Sequence, residues 1–436
     1  MADESPALVR TRLKSIFGGS VGNLIEWYDF YVYNAFALYF AKQFSPSEDP
    51  TVQFLNIFGI YAIAFFVRPV GSILLGTYAD TRGRKAALTL SVMLMCAGSL
   101  LIAVIPTYAT IGYWAPALLL LARIIQSLSL GGEYAASATY LSEIAVSKHR
   151  GFYSSFQYVT LIGGQVLAAL VLLVMQQRLT AAELEAWGWR VPFLIGAACA
   201  VYGLYLRRNL VETAAFQRVA QNKRRNPLRE VLQHPRELLL VFGLTAGGTA
   251  AFYTFSTYMP TFLANTVKLP REQANLLSFI TLFCFAAFQP LLGGLSDRIG
   301  RKPVLLWFGV MGTLCTYLIM TSMAATRDFT SILLLLLAAL AIVSGYTSIN
   351  AVVKAELFPA GVRALGVGLP YSLAASIFGG TAPYVALWFK ERGHESWFFL
   401  YITGLIFCSL LVYATMRDTK KNTRMEDGDL TRAAFD

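Results

Sequence analysis

Along the 436 residues, long apolar runs alternate with short polar breaks. Runs of helical length fall near residues 16–42, 51–77, 86–106, 112–138, 151–176, 190–206, 238–264, 272–294, 303–323, 330–353, 362–388 and 396–416. At a rise of ~1.5 Å per residue, about 20 apolar residues cross a hydrocarbon core of ~30 Å. A helix satisfies its own backbone groups there without water. The pattern predicts an all-α, polytopic membrane protein of twelve transmembrane helices. A long polar segment, 207–237, separates an N-terminal six-helix half (1–206) from a C-terminal one (238–436) with a short tail.

Composition agrees. The chain is 56% hydrophobic and 14% charged, with mean hydropathy +0.54, whereas soluble domains carry about 25% charged residues. The first apolar run is long and contains acids, so it reads as a retained span and not as a cleaved signal. The net charge of +11 is spread over loop ends. Most Lys and Arg lie at the termini, after even-numbered runs or in 207–237. Loops after odd-numbered runs hold only Lys42, Arg178, Arg190, Lys268, Arg271, Arg327, Lys390 and Arg392. The positive-inside rule then puts both termini and the central loop in the cytoplasm. No motif organises this charge for nucleic acid. Cys96, Cys199, Cys284, Cys315 and Cys408 sit in apolar runs without a C-x-x-C pair, as buried hydrophobes do.

The halves repeat. A G-x-x-x-D-x-x-G-R-K pattern follows the second run, with Asp80 and Arg84, and returns after the eighth, with Asp297 and Arg301. After the fourth run stand Glu143 and Arg150, and after the tenth Glu356 and Arg363, acid and base at equal spacing. Parallel internal repeats are a transporter feature. Charged pairs at these loops suit a latch between the halves, remade as the protein changes conformation. These eight residues are the candidate gates.

Charge at bilayer depth costs about 2.5–3.5 kcal/mol on insertion scales and marks function or a paired helix contact. Glu26, Asp29, Arg68, Arg123 and Glu133 lie inside runs, all in the first half. Lys354 and Glu356 read as the end of the tenth run, leaving none at depth in the second half. Glu26 and Asp29, at i and i+3, share a helix face. Three acids against two bases leave one acid able to load and release a proton, so Asp29, Glu26 and Glu133 are candidates for proton coupling. The plainer alternative is a set of structural ion pairs. Arg68 precedes Pro69, which removes a backbone donor. Its guanidinium can clamp a carboxylate or neutralise Asp29 between turnovers. Arg123, with Gln126 one turn on, faces the same choice. Gln157, Tyr253, Tyr258 and Asn350 could hold an anion's remaining oxygens or bond helix to helix.

No phosphate-binding G-x-x-x-x-G-K-[ST] loop or H-E-x-x-H pattern occurs, and no G-x-S-x-G motif argues for catalysis. The reading is a carrier, with no enzyme activity, cofactor or metal expected.

The paired loop motifs resemble those of the major facilitator superfamily. A finer resemblance, over nearly the whole chain, is to its metabolite–proton symporter family. It rests on Gly22 and Asn23 through Asp29 and Phe30, on Arg68-Pro69-Val70-Gly71, on Gly131-Gly132-Glu133-Tyr134 and on Trp187-Gly188-Trp189-Arg190-Val191-Pro192. Residues 151–162, Lys354 through Pro359 and Arg363 through Leu369 look like α-ketoglutarate and related oxo-dicarboxylate permeases. The resemblance implies bacterial inner-membrane uptake of a dicarboxylate with protons, by alternating access. It places the proton site at Asp29 or Glu26 and the anion near Arg68 and Arg123, with Tyr28 in the same signature. Partners would be a small organic anion, protons and the lipid bilayer, for a monomer. Relatives carry an acid where this chain has Pro383, which leaves the exact acid open: shikimate, citrate, an aromatic acid or a zwitterionic osmolyte are the alternatives. The tail after Met416 lacks the heptads of osmosensing members.

Overall fold

The computed structural model describes the backbone of residues 6–82, 84–145, 147–207, 227–359 and 362–425. Side chains are described from Asn23 onward, apart from 76, 77, 79–88, 136, 140, 144, 147, 203–207 and 227. Of the expected polar segment, 208–226 lies outside this range. No strand occurs among the described residues.

The N-terminal half contains six spans: Pro6–Phe44, Pro50–Phe66 continued by Arg68–Arg82, Arg84–Val104, Trp114–Ile144, Arg150–Arg178 and Val191–Arg207. In the C-terminal half the seventh span is Pro235–Phe252, a π turn at Tyr253–Tyr258, then Met259–Asn265. The eighth and ninth are Arg271–Ile299 and Arg301–Ala325. The tenth is broken into Phe329–Thr347 and Asn350–Leu357. The eleventh carries a second π turn, Ala375–Gly380, between Arg363–Ala374 and Ala382–Glu391, and Glu395–Thr415 is the twelfth. The twelve apolar runs are thus twelve helical spans. Among the described residues, nine meet the length and hydropathy needed to cross a membrane.

Local chemistry sets the ends. Asp49 Oδ1 accepts from Thr51 N at 2.7 Å ahead of Pro50, and Asp328 Oδ2 accepts from Ser331 N at 2.7 Å. Both use an acid to satisfy an orphan donor at a helix start. Hydrogen bonding by the Ser331 side chain, together with its backbone N–H, holds the Asp328 carboxyl below the usual carboxylate range.

Large apolar side chains such as Leu74, Val104, Leu239, Phe283, Leu291, Leu314 and Leu334 are more than half exposed on the outside of the bundle. In water such a belt would aggregate; around a membrane bundle it is the lipid-facing surface. The interior is aromatic where the halves meet. Tyr134 of the fourth span stacks on Tyr371 of the eleventh at 3.6 Å and 10°, and Phe65 meets Tyr253 edge-on at 5.3 Å. The fifth and eighth spans touch backbone to backbone. A Cβ on Gly151 would lie 2.6 Å from Gly293 O, and one on Gly293 would lie 2.6 Å from Gly151 O, so neither position has room for a side chain.

Candidate functional site

Asp29 faces inward from the first span and is buried. Its Oδ2 accepts from the Ser99 hydroxyl of the third span and from Gln126 Nε2 at 3.2 Å. Its Oδ1 has no hydrogen-bond partner among the described residues. Gly196 of the sixth span backs the carboxylate so closely that an added Cβ would strike Oδ1. Gln126 also donates to Ser99 Oγ at 2.8 Å and accepts from Arg123 Nη1 at 2.7 Å. One amide therefore couples a buried carboxylate to a buried guanidinium.

Arg123 is fully buried. Its guanidinium carbon lies 4.4 Å from the Phe30 ring centre and 4.3 Å from that of Tyr33, while Nε and Nη2 have no partner among the described residues. Arg68 stands where the second span is interrupted. Its guanidinium covers the Phe65 ring at 3.6 Å and the Phe30 ring at 4.5 Å. Nη1 donates to Tyr253 Oη of the opposite half at 3.4 Å, and Nε and Nη2 are again unpartnered. Among the described residues no carboxylate lies within salt-bridge distance of Arg68. Aromatic faces fix such a guanidinium in place without using its N–H donors. Two buried forks with open donors, sharing the Phe30 ring, make a strong anion-binding arrangement.

In this structure Asp29 is held by Ser99 and Gln126, on the Arg123 side, and not by Arg68. Glu26 is buried on the same helix and engaged in contacts of its own. Glu133 is buried further along the fourth span, where it accepts from Ser91 Oγ at 3.3 Å. Tyr28 points to the sixth span, donating to Pro192 O at 3.2 Å, and makes no contact with either arginine. Gln157 is buried with both amide atoms unpartnered. Tyr258 lies among Phe262 and Phe398 at the far end of the π turn, apart from Arg68. Asn350 belongs to a second cluster, accepting from Tyr134 Oη at 2.7 Å and from Lys354 Nζ at 2.9 Å.

Lys354 is the main surprise. The tenth span continues to Leu357, and Lys354, near its end, is 0% exposed; the second half does carry a fully buried basic side chain. Counting the apolar run as ending at 353 hid it. Ser99, Tyr134 and Tyr371 were also not singled out, because hydroxyls in apolar runs carry no pattern of their own.

At the motif end, Asp297 accepts from Gly151 N and Phe152 N, both at 2.8 Å, and from Arg301 Nη1 at 2.8 Å. An acid of the eighth span thus caps the start of the fifth, across the halves. Arg363 donates to Glu143 at 2.6 Å, again across the halves, and Arg301 lies 3.6 Å from Glu356. Glu143 therefore pairs across the repeats, while Glu356 pairs with Arg301 of its own half. Arg150 is buried and engaged. The side chains of Asp80 and Arg84 lie outside the described residues. Residues after the twelfth span join this layer: Thr419 Oγ1 donates to Glu356 at 2.6 Å, and Asp418 Oδ1 accepts from Arg301 N at 3.2 Å. Midway along the fifth span Gln165 donates to Ser256 and Thr257, each at 3.2 Å, and at the opposite end Arg271 meets Glu185 at 3.1 Å.

Residues 16–241 match the model of the family described as "Sugar (and other) transporter", and 241–432 match that of the "Major Facilitator Superfamily". The chain is 48% identical over 416 residues to an "Alpha-ketoglutarate permease" of Escherichia coli (strain K12), covering 95% of this chain and 96% of the relative. It is 34% identical to a "Citrate-proton symporter" of Salmonella typhi, over 88% and 89% of the two chains. A "Putative proline/betaine transporter" of Staphylococcus haemolyticus is 32% identical, over 93% and 88%. The crystal structure of a D-xylose-proton symporter superposes with TM-score 0.73 at 19% identity, covering 95% of this chain and 99% of that one.

Proposed function

We propose that this chain, which belongs to the major facilitator superfamily of transporters, imports a dicarboxylate together with protons by alternating access. The substrate is α-ketoglutarate or a close oxo-acid relative. The observation that carries this reading is the pair of buried guanidiniums, Arg68 and Arg123, with open donors beside a buried carboxylate. The 48% identical permease supports the choice of acid. Arg68 binds one carboxylate of the substrate. Asp29 loads the proton, and Arg123 sets its charge balance through Gln126. The protein lies in the bacterial inner membrane with both termini cytoplasmic, as the distribution of Lys and Arg supports, and works as a monomer.

The energetics require coupling. A dianion entering against a negative-inside potential is opposed by ~2.3 kcal/mol per charge per 100 mV. Two protons carried along neutralise that cost. The Asp297, Glu143 and Arg363 layer closes the motif end, and the Arg271–Glu185 contact bridges the halves at the other. Breaking one while keeping the other exposes the site to one side at a time.

The test is uptake of labelled α-ketoglutarate by proteoliposomes with and without an inward proton gradient. Accumulation that a protonophore abolishes is expected. Competition by unlabelled citrate, shikimate and betaine fixes the selectivity, and uptake inhibited by betaine but not by dicarboxylates would move the substrate to a zwitterion.

A further inference from the structure

Lys354 is not used by the reading above, and its surroundings are unusual for a buried ammonium. Nζ lies 4.0 Å from the Tyr371 ring centre, 5.5 Å from Tyr134 and 5.7 Å from Tyr346. Its hydrogen bonds go to neutral oxygens: Asn350 Oδ1 at 2.9 Å, Tyr134 Oη at 3.4 Å and Tyr346 Oη at 3.5 Å. Among the described residues no carboxylate lies within salt-bridge distance. Two of the three bonds are long, so the cation is only partly compensated for leaving water. A structural role would be served as well by an apolar side chain of the same length.

Its position is what gives it a use. Ile349 breaks the tenth span, and the short helix Asn350–Leu357 carries Asn350 and Lys354 one turn apart. Broken spans at membrane depth belong where polar groups meet an ion or a substrate. Tyr371, which lies under the ammonium, is stacked on Tyr134 of the other half, and its neighbour Ser372 meets Ser72, one turn on from Arg68, at 3.1 Å. A tyrosine therefore touches each cation: Tyr253 holds Arg68 of the N-terminal half and Tyr371 lies under Lys354 of the C-terminal half.

We propose that Lys354 takes the second carboxylate of the transported dianion, opposite Arg68, and thereby selects dicarboxylates over monocarboxylates. This rests on the dicarboxylate reading of the same site. An ionised carboxylate is a stronger partner for the ammonium than the phenol and amide oxygens that hold it here. A ligand held by both cations also ties the two halves together, which a monocarboxylate cannot do.

The test is equilibrium binding to the purified full-length protein, with labelled α-ketoglutarate and, separately, labelled 2-oxobutyrate, a monocarboxylate with the same oxo-acid head. The wild-type protein is expected to prefer the dicarboxylate by about tenfold or more. Lys354→Gln should lose that preference by weakening α-ketoglutarate alone, and Lys354→Arg should keep most of it. A purely structural lysine would weaken both ligands together. Lys354→Met repeats the comparison if the glutamine variant does not fold. A glutamine or methionine variant that discriminates as the wild type does, or that loses both ligands equally, overturns the proposal. A wild-type protein that binds no dicarboxylate overturns the underlying reading, and this inference with it, before any variant is compared.

Discussion

At the scale of single residues, the site depends on groups whose partners are few and specific. Arg68 uses its flat face on Phe65 and Phe30 and keeps its edge for hydrogen bonds. Lysine has neither the plane nor the fork, so Arg68→Lys should raise the dissociation constant for α-ketoglutarate by about 10–100-fold, equivalent to ~1.4–2.8 kcal/mol. Titration of the purified protein with labelled substrate checks this, and an unchanged constant would remove Arg68 from the anion site. Gly196 makes a different point. Its missing Cβ is the space that Asp29 occupies. Gly196→Ala should displace the carboxylate from Ser99 and Gln126, abolish gradient-driven uptake and lower stability by about 1–3 kcal/mol, as overpacking does. Uptake and thermal unfolding of the same preparation measure both effects. Normal uptake would show that Asp29 tolerates another position.

At the scale of elements, much was legible and the rest was hidden for identifiable reasons. Twelve runs of apolar residues give twelve spans because lipid leaves the backbone no alternative. The ionisable groups Glu26, Asp29, Arg68, Arg123 and Glu133 stood out because each interrupts such a run, and all five are buried. Their pairing was not legible. Which acid meets which base depends on how helices rotate about their axes, and a spacing within one helix says nothing of that. Hence Asp29 is found with Ser99 and Gln126 instead of Arg68, and Glu143 with Arg363 of the other repeat. Lys354 reads in the sequence as the end of the tenth run, and its burial depends on the packing of Asn350–Leu357 against other spans, which no run of apolar residues records. The two π turns, at Tyr253–Tyr258 and Ala375–Gly380, likewise have no signature in periodicity. Both bring the seventh and eleventh spans against the Arg68 region: Tyr253 starts the first, and a Cβ on Gly380 of the second would strike the Phe65 ring. Such turns recur at functional sites.

The eighth span makes a prediction of its own. Asp297 caps the fifth span with both oxygens and accepts from Arg301. Asp297→Asn keeps one acceptor oxygen but loses the charge, and a charge at a helix start is worth about 0.3–2 kcal/mol. The balance between conformations should shift by several-fold toward opening at the motif end. Labelling of a cysteine placed at position 155, behind this contact, should quicken accordingly, and an unchanged labelling rate would deny Asp297 a gating role.

At the scale of the whole molecule, a member of the major facilitator superfamily couples two events by having no state open at both ends. In this structure polar layers bridge the halves at the motif end and at the opposite end. The aromatic cluster between them holds the buried cations, and the acid lies to one side, joined to Arg123 by Gln126. On the proposed reading the anion and the proton occupy different groups, so one can be disabled without the other. Asp29→Asn removes the titrating group while keeping its shape, and leaves Arg68 and its aromatic support untouched. The direct measurement compares gradient-driven accumulation with counterflow exchange of labelled α-ketoglutarate in proteoliposomes holding this variant. Accumulation is expected to fall to the level of a protonophore-treated wild type while exchange persists. Accumulation at the wild-type level would contradict it, and would move the proton to another acid.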